Sequence, residues 1–425
     1  MIAEELLHFV WQFRLFNQLE LYSTDDEQIK IIQVGQCNED AGPDFLFSQI
    51  SIDGREWRGH VEIHVDGADW FKHQHHLDAV YNSVILHVVY QNAVPAFRED
   101  GTVIPCFELA PLINIGLLER YRGIMQNLHW IPCEKHLHKV DILHKTQAMQ
   151  RMAAIRLEQR YRQIQDLLDE TLDDWEKVLF LQLCRSFGMK VNAQPFLQLG
   201  KLADLSLIRK YRNDIFKMEA MIFGQAGFLA DVPNEGYTKK LAEEYRYLKT
   251  IHSLKELKVF EWKFMRMRPY NFPTFRLAQL LALYGRTPFL FETLIHCKNM
   301  TDLNQILTNV SLSSFWKTHF VLGKTTSIHT TDLSQRFIEH IAINAVIPVL
   351  FSYGKYMGID ELQTRALAWL EKLNAEQNKI TRKFSELTLS AISAADSQGL
   401  LQLKQNYCDQ KKCLQCNIGL SLLKS

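Results

Sequence analysis

The sequence lacks a charge imbalance and an apolar segment long enough to cross a membrane. Its 48 basic and 48 acidic residues leave a formal net charge of zero, so bulk charge gives no sign of a nucleic-acid partner. We find no apolar run of the roughly 18 residues that a transmembrane helix needs. Near the start, Glu4 and Glu5 stand where a secretory signal has basic residues. These absences predict a cytoplasmic protein with no membrane partner.

Several enzyme signatures are missing as well. The sequence contains no P-loop, no GxGxxG following a strand, no HExxH and no GxSxG. Their absence argues against an ATPase, a Rossmann-type oxidoreductase, a zincin protease and an α/β-hydrolase. We also find no internal repeat and no low-complexity tract, so the chain is not a repeat protein.

The residues that are present change in character near residue 140. Before that point, the patterns indicate a helix, three strands, a second helix and a fourth strand. After it, apolar residues recur at helical spacing. We therefore predict an α+β fold, with an N-terminal mixed sheet and flanking helices in residues 1–138 and an all-α domain in residues 139–425. The predicted N-terminal elements are a helix at 3–16, strands at 29–35, 46–53 and 58–66, a helix at 69–82 and a strand at 83–91.

The third predicted strand, "RGHVEIHVD", alternates apolar and ionisable residues. Successive strand residues face opposite sides, so Glu62 and His64 share one face. Asp44, in "GPDF", opens the preceding strand. Two carboxylates on hairpin partners, with the backbone carbonyl of Ile63, form an oxygen donor set for Mg²⁺ or Mn²⁺. His64 would then orient or deprotonate the attacking water.

This arrangement resembles the PD-(D/E)XK nuclease superfamily, whose core runs helix, three strands, helix, strand. Pro43 and Asp44 match its first motif, and residues 62–64 match its glutamate-x-lysine motif with His64 in place of the lysine. Lys72 is the substitute for that lysine, and Glu5 or Glu4 matches the glutamate of the first helix. The resemblance implies a restriction-endonuclease-like core in the first quarter of the chain. It also implies a metal-dependent phosphodiesterase that acts on nucleic acid.

The whole chain also resembles a family of uncharacterised bacterial proteins. The shared motifs are "GPDF", "VEIH", "DWxxHxHxxD", "ILHVV", "FGQAG", "RPxNFP" and "CLQC", at residues 42–45, 61–64, 69–78, 85–89, 223–227, 268–273 and 413–416. This second resemblance spans nearly the full length and implies no particular activity.

The histidine-rich segment after the third strand offers another kind of site. On a continuous helix, Asp69, His73 and His76 share one face, and imidazoles suit zinc or manganese. His60 and Asp78 are further candidates, whereas the apolar strand around His87 favours a buried, hydrogen-bonded histidine. Two alternatives to the nuclease therefore stay open. One is a His/carboxylate metalloenzyme on a small substrate. The other, favoured by the missing lysine and the neutral charge, is a non-catalytic nucleic-acid or protein interaction module on a degraded nuclease scaffold.

The C-terminal "YCDQKKCLQC" places Cys408, Cys413 and Cys416 at C-x4-C-x2-C spacing. Two residues between cysteines allow both thiolates to bind one metal ion. Zinc or an iron–sulfur cluster needs a fourth ligand. Cys133 is our candidate, with Cys106 or a histidine as the alternative.

A basic segment in the helical region, "KFMRMRPYNFPTFR", interleaves cations with aromatic residues. Guanidinium groups beside aromatic rings are suited to phosphate contacts. We therefore predict phosphate binding by Arg266, Arg268 and Arg276.

Overall fold

The computed structural model describes residues 2–38, 40–230, 236–308 and 310–424. It is an α+β protein with an N-terminal mixed sheet and a helical C-terminal region. The chain forms two compact units, one of Met1–Ala148 with Leu403–Ser425 and one of Met149–Gln402. The last segment, which the sequence analysis assigned to the helical domain, thus belongs to the unit that contains the sheet.

The main sheet combines an antiparallel and a parallel half. Strands β2, β4 and β5 pair antiparallel, whereas β5, β6 and β9 pair parallel. β1 extends the sheet beside β2, β3 pairs with β4, and β7 pairs with β8 apart from it. The strands are β1 Leu21–Tyr22, β2 Gln28–Gln33, β3 Gln36–Cys37, β4 Phe45–Ile52, β5 Arg55–Asp66, β6 Val84–Gln91, β7 Ala96–Phe97, β8 Val103–Ile104 and β9 Cys106–Glu108.

The hairpin of β4 and β5 positions the residues of the predicted site. It turns through Asp53 and Gly54, both at positive φ, as tight two-residue hairpins require. In β5, Val61 and Ile63 are fully buried on one face, and the polar residues of the opposite face in this stretch are buried too. The apolar β6 is covered on both faces and lies between β5 and β9, as its composition predicts.

The helices of this unit differ from the prediction at one point that matters for the site. They are α1 Glu4–Gln12, α2 Asp69–Lys72, α3 Ile115–Met125 and, in the C-terminal segment, α18 Asn417–Lys424. The helix predicted at 69–82 is wrong, because α2 ends at Lys72 and two short 3₁₀ turns follow, His75–Leu77 and Ala79–Ser83. Gln74 interrupts the helix with a left-handed backbone, φ 62°.

The helical region begins with two long helices, and Gly188 caps the second. The helix Pro273–Arg286 starts with a proline, whose fixed φ and missing N–H suit the first helical position. The remaining elements are α4 Ile142–Glu170, α5 Trp175–Phe187, α6 Ala193–Leu202, α7 Leu205–Lys210, α8 Ile215–Gln225, α9 Gly236–His252, α10 Pro273–Arg286, α11 Leu290–Ile295, α12 Met300–Leu307, β10 His319–Val321, β11 Lys324–Thr325, α13 Gln335–Ile341, α14 Ile347–Met357, α15 Asp360–Lys372, α16 Lys379–Glu386 and α17 Ala394–Gln402.

One helical stretch, Gln335–Met357, is long and apolar enough to cross a membrane. It joins α13 to α14 through a π-helical turn. Its most apolar 18-residue window is 78% buried within the protein, as in a core helix. Polar residues interrupt its apolar run, so the sequence does not show it as one continuous apolar segment.

Candidate metal centre

The carboxylates of Asp44 and Glu62 are held together across the hairpin. The backbone N–H of Asp44 donates to Glu62 Oε2 at 3.2 Å, and the N–H of Ile63 donates to Asp44 Oδ2 at 2.8 Å. Glu62 is only 5% exposed. Burial, and next the Asp44 charge, raise the pKa of Glu62 to about 9. Without a nearby cation, the Glu62 carboxyl therefore holds a proton at pH 7.

A β-bulge beside Asp44 explains the position of His60. Phe47 has a φ of 58°, and the pairing of β4 with β5 shifts register between Phe45 and Ser48. Such bulges redirect a strand locally and are frequent beside active sites. The N–H of Phe47 donates to His60 Nδ1 at 3.2 Å. His60 thus supports the bulge.

Helix α1 adds two side chains to the carboxylate pair. His8 Nε2 lies 3.3 Å from Asp44 Oδ2 and 3.9 Å from Glu4 Oε1. One ligand atom from each of these three residues lies within 4.8 Å of the others, and we call them the carboxylate group. Burial alone would lower the pKa of His8, but the Asp44 carboxylate outweighs it and raises the pKa above its ordinary value. Glu5, the other glutamate considered, is exposed.

His8 is not among the residues predicted from the sequence. The signal that would have found it is the spacing of Glu4 and His8, which are four residues apart and so share a face of α1.

Three imidazoles converge on the other side of Glu62. Ligand atoms of His64, His73 and His75 lie within 4.8 Å of one another, and we call these residues the histidine group. His64 Nε2 is 3.2 Å from His73 Nδ1 and 3.6 Å from Glu62 Oε1, and His75 Nε2 is 3.2 Å from the same oxygen. Glu62 therefore faces the carboxylate group with one oxygen and the histidine group with the other.

The turn after α2 decides which histidines converge. A continuous helix would have paired His73 with His76, three residues on. Because α2 stops and Gln74 is left-handed, His75 faces His64 instead, with ring centroids 5.3 Å apart. His76 packs on Phe71, with ring centroids 5.1 Å apart. A positive φ at a non-glycine residue is uncommon, and the sequence pattern does not reveal it.

His87 extends the histidine group into the sheet. Its Nε2 lies 2.9 Å from His64 Nδ1, and its Nδ1 lies 4.0 Å from Cys106 Sγ. His87 is fully buried, in line with its apolar strand. Burial, and next the neighbouring histidines, lower the pKa of His64 to about 2 and that of His87 to about 4. Both imidazoles are therefore neutral at pH 7, the form that binds metal ions.

The remaining predicted residues of this segment lie outside both groups. Lys72 Nζ pairs with Asp69 Oδ1 at 2.6 Å, and the lysine side chain is 64% exposed. Asp78 accepts the N–H of Val80 and so caps the second 3₁₀ turn.

The three predicted phosphate-binding arginines differ in exposure. Arg266 and Arg268 are exposed. Arg276 is buried, donates to Gln279 and Asn271, and stacks 3.3 Å from the centre of the Phe337 ring.

The predicted cysteine cluster lies within the first unit. Cys133 precedes the 3₁₀ turn Glu134–Lys139, Cys416 precedes α18, and these two helical segments pack on each other. Cys133, Cys413 and Cys416 are buried, and Cys408 is partly buried. Burial, and next the thiols of Cys416 and Cys413, raise the pKa of Cys133 to about 12. Burial raises the pKa of Cys408, and the thiols of Cys416, Cys133 and Cys413 are close enough to raise it further, whereas Cys106 lies beside His87; the metal cluster stays a prediction.

Comparison with known proteins gives a family but no activity. No curated protein and no solved structure matches the chain. A family model described as "Protein of unknown function (DUF2851)" matches residues 4–379. The chain therefore belongs to the DUF2851 family.

Proposed function

We propose that this protein is a metal-dependent phosphodiesterase that acts on nucleic acid and is built on a restriction-endonuclease-like core of the PD-(D/E)XK type. The observation that carries the proposal is the interlocked pair of Asp44, at the start of β4, and Glu62, in β5. The element order supports it: α1, the antiparallel β2–β4–β5, a helical segment, then β6 parallel to β5.

The donor set fits a hard divalent cation. The Asp44 carboxylate, the Glu62 carboxylate and the carbonyl of Ile63 are oxygen ligands from one hairpin, the kind that Mg²⁺ and Mn²⁺ prefer. A nearby cation would also offset the burial of the Glu62 charge. When bound, such an ion supplies stabilisation of phosphate charge and a water of lowered pKa.

His8 is the residue best suited to accept a proton from the attacking water. Its imidazole lies beside Asp44, and its pKa is raised above the ordinary value, so it is a stronger base than a free histidine. His64, with its pKa lowered to about 2, is a poor base at neutral pH. Lys72 is exposed and paired with Asp69, so it does not take the lysine role in this conformation.

The test is a cleavage assay on plasmid DNA, single-stranded DNA and RNA, with Mg²⁺, Mn²⁺ or EDTA. We expect cleavage that needs the metal and that falls at least about 100-fold in Asp44→Asn, because the substitution removes a ligand and a charge. Asp69→Asn is the matched control, since this carboxylate lies outside the carboxylate group and pairs with Lys72 instead. Metal-independent cleavage, or an Asp44→Asn variant as active as the wild type, would refute the proposal.

A second candidate, a His/carboxylate metalloenzyme on a small substrate, is favoured by the convergence of His64, His73 and His75. Metal-dependent hydrolysis of small phosphoesters such as bis(p-nitrophenyl) phosphate, with nucleic acids left intact, supports this candidate over the nuclease. Binding of nucleic acid without any hydrolysis supports the non-catalytic module instead.

A further inference from the structure

We propose that the histidine group, together with Oε1 of Glu62, forms a tetrahedral site for a transition-metal ion such as Zn²⁺. This site shares Glu62 with the oxygen-donor site of the proposed function but takes its other donors from the histidine group, and it holds whether or not the protein cleaves nucleic acid. Nitrogen-rich donor sets select zinc, cobalt or nickel over magnesium.

The separations between the donor atoms match those around one tetrahedral ion. Zinc binds imidazole nitrogen and carboxylate oxygen at about 2.0–2.2 Å, so neighbouring ligands of a tetrahedron lie about 3.3–3.5 Å apart. The three measured separations are 3.2 Å from His64 to His73, 3.6 Å from His64 to Glu62 and 3.2 Å from His75 to Glu62. These three separations are those of neighbouring ligands in one coordination sphere, and the ligand atoms of the three imidazoles all lie within 4.8 Å of one another.

One buried nitrogen of the histidine group has no hydrogen-bond partner in the described part of the chain. His75 is buried, and its Nε2 makes no hydrogen bond of acceptable geometry to the described residues, although Glu62 Oε1 lies 3.2 Å away. Buried polar atoms are normally satisfied. Two ligands of the same metal ion lie this close to each other without a hydrogen bond between them.

The surroundings of His64 hold its ring in the orientation that a ligand needs. Binding through Nε2 requires the proton on Nδ1, which would then donate to His87 Nε2 at 2.9 Å. Metal-binding histidines usually donate their other N–H in this way. Trp70 is fully buried, meets His75 edge-on and lies at a tilt against His87, with ring centroids 5.3 and 5.2 Å apart. His87 is thus a positioning residue and Trp70 a rigid support.

The test uses the full-length protein, stripped with a chelator and titrated with Co²⁺ alone. All titrations use the Cys133→Ser background, in which the cysteines no longer hold a metal, and we expect one equivalent that gives the intense visible bands of tetrahedral cobalt without a sulfur-to-cobalt band in the near ultraviolet. That second band would report on the cysteines instead. His73→Gln removes a donor at an exposed position, so it should leave the apo fold intact and weaken Co²⁺ binding at least about tenfold.

Two controls make the outcome decisive. His76→Gln changes the neighbouring histidine that faces Phe71 and should bind Co²⁺ like the Cys133→Ser parent. Asp44→Asn removes the oxygen-donor site and should keep the tetrahedral bands even where cleavage is lost, which separates a failure of this inference from a failure of the proposed function. Absence of these bands in the Cys133→Ser parent, unchanged binding by His73→Gln, or loss of the bands in Asp44→Asn would overturn the inference.

Discussion

The substitution Glu62→Gln should change the stability of the protein in opposite directions with and without metal. In the apo protein, the folded state holds a proton on Glu62 up to a pKa of about 9, whereas the unfolded chain loses it near 4.5. Between these values, folding must take up a proton, so stability falls as the pH rises. The neutral amide removes this dependence, while its oxygen still accepts the Asp44 N–H.

The magnitude follows from the two pKa values. Each pH unit above the unfolded pKa of 4.5 lowers the free energy of unfolding of the apo wild type by about 1.4 kcal/mol. The loss is therefore about 2 kcal/mol at pH 6 and about 3 kcal/mol at pH 7. We therefore expect the apo Glu62→Gln variant to be more stable than the wild type, with a gap that widens as the pH rises towards 8. With saturating metal the order should reverse, because an amide is the weaker ligand and binding stabilises only the wild type strongly.

Hydrogen exchange measured by mass spectrometry on peptides that cover β4 and β5 reports the stability of this unit without assuming that the whole chain unfolds in one step. The matched control is Glu56→Gln, an exposed glutamate on the same strand, which should change stability by less than about 0.5 kcal/mol at any pH. If Glu62→Gln destabilises the apo protein equally at pH 6 and pH 8, burial does not hold a proton on Glu62 and the reasoning fails.

Two further predictions use the same unit. In the Glu62→Gln background, the pKa values of His64 and His87 stay lowered, to about 2 and about 4. Below pH 6.5 these two histidines then take up protons only in the unfolded state. We therefore expect the apo stability to fall by about 2 kcal/mol per histidine between pH 7 and pH 5, measured by the same exchange experiment. A stability that does not change over this pH range contradicts the prediction. For the cysteines, we expect purified protein to contain one equivalent of bound zinc or one iron–sulfur cluster, measured by elemental analysis and visible absorption. Cys133→Ser should lose this metal, whereas the control Cys37→Ser, at an exposed position, should keep it. Equal metal content in the two variants contradicts the prediction.

Local sequence patterns predicted the longer strands well, although the helix predicted at 69–82 is wrong. The strands predicted at 46–53 and 83–91 differ from β4 and β6 by a single residue at their ends. Alternation of polarity in β5 and the unbroken apolar run of β6 are strong signals, because each side chain in a strand has only two faces available. The pairing of Asp44 with Glu62 followed from the hairpin alone.

The position of the C-terminal segment in the fold could not be predicted from local sequence patterns. The helical character of residues 403–424 gives no information on which domain they join. In the structure, Lys411 Nζ donates to the carbonyl of Met125, and Arg120 donates to the carbonyl of Leu423. Such contacts join residues about 300 positions apart, and only the cysteine spacing, with Cys133 as the suggested fourth ligand, pointed to them.

The histidine group depends on one backbone angle that the sequence leaves open. On a helix, His73 and His75, two residues apart, point to different sides. Gln74 at φ 62° ends the helical path between the two imidazoles, and the ligand atoms of both lie close to those of His64. A left-handed glutamine is unfavourable by itself, so packing must hold it, and Trp70 and Tyr81 against His75 supply that packing. The strained backbone of Gln74 lies between two donors of the histidine group, which is expected where the backbone conformation is needed to position a functional site.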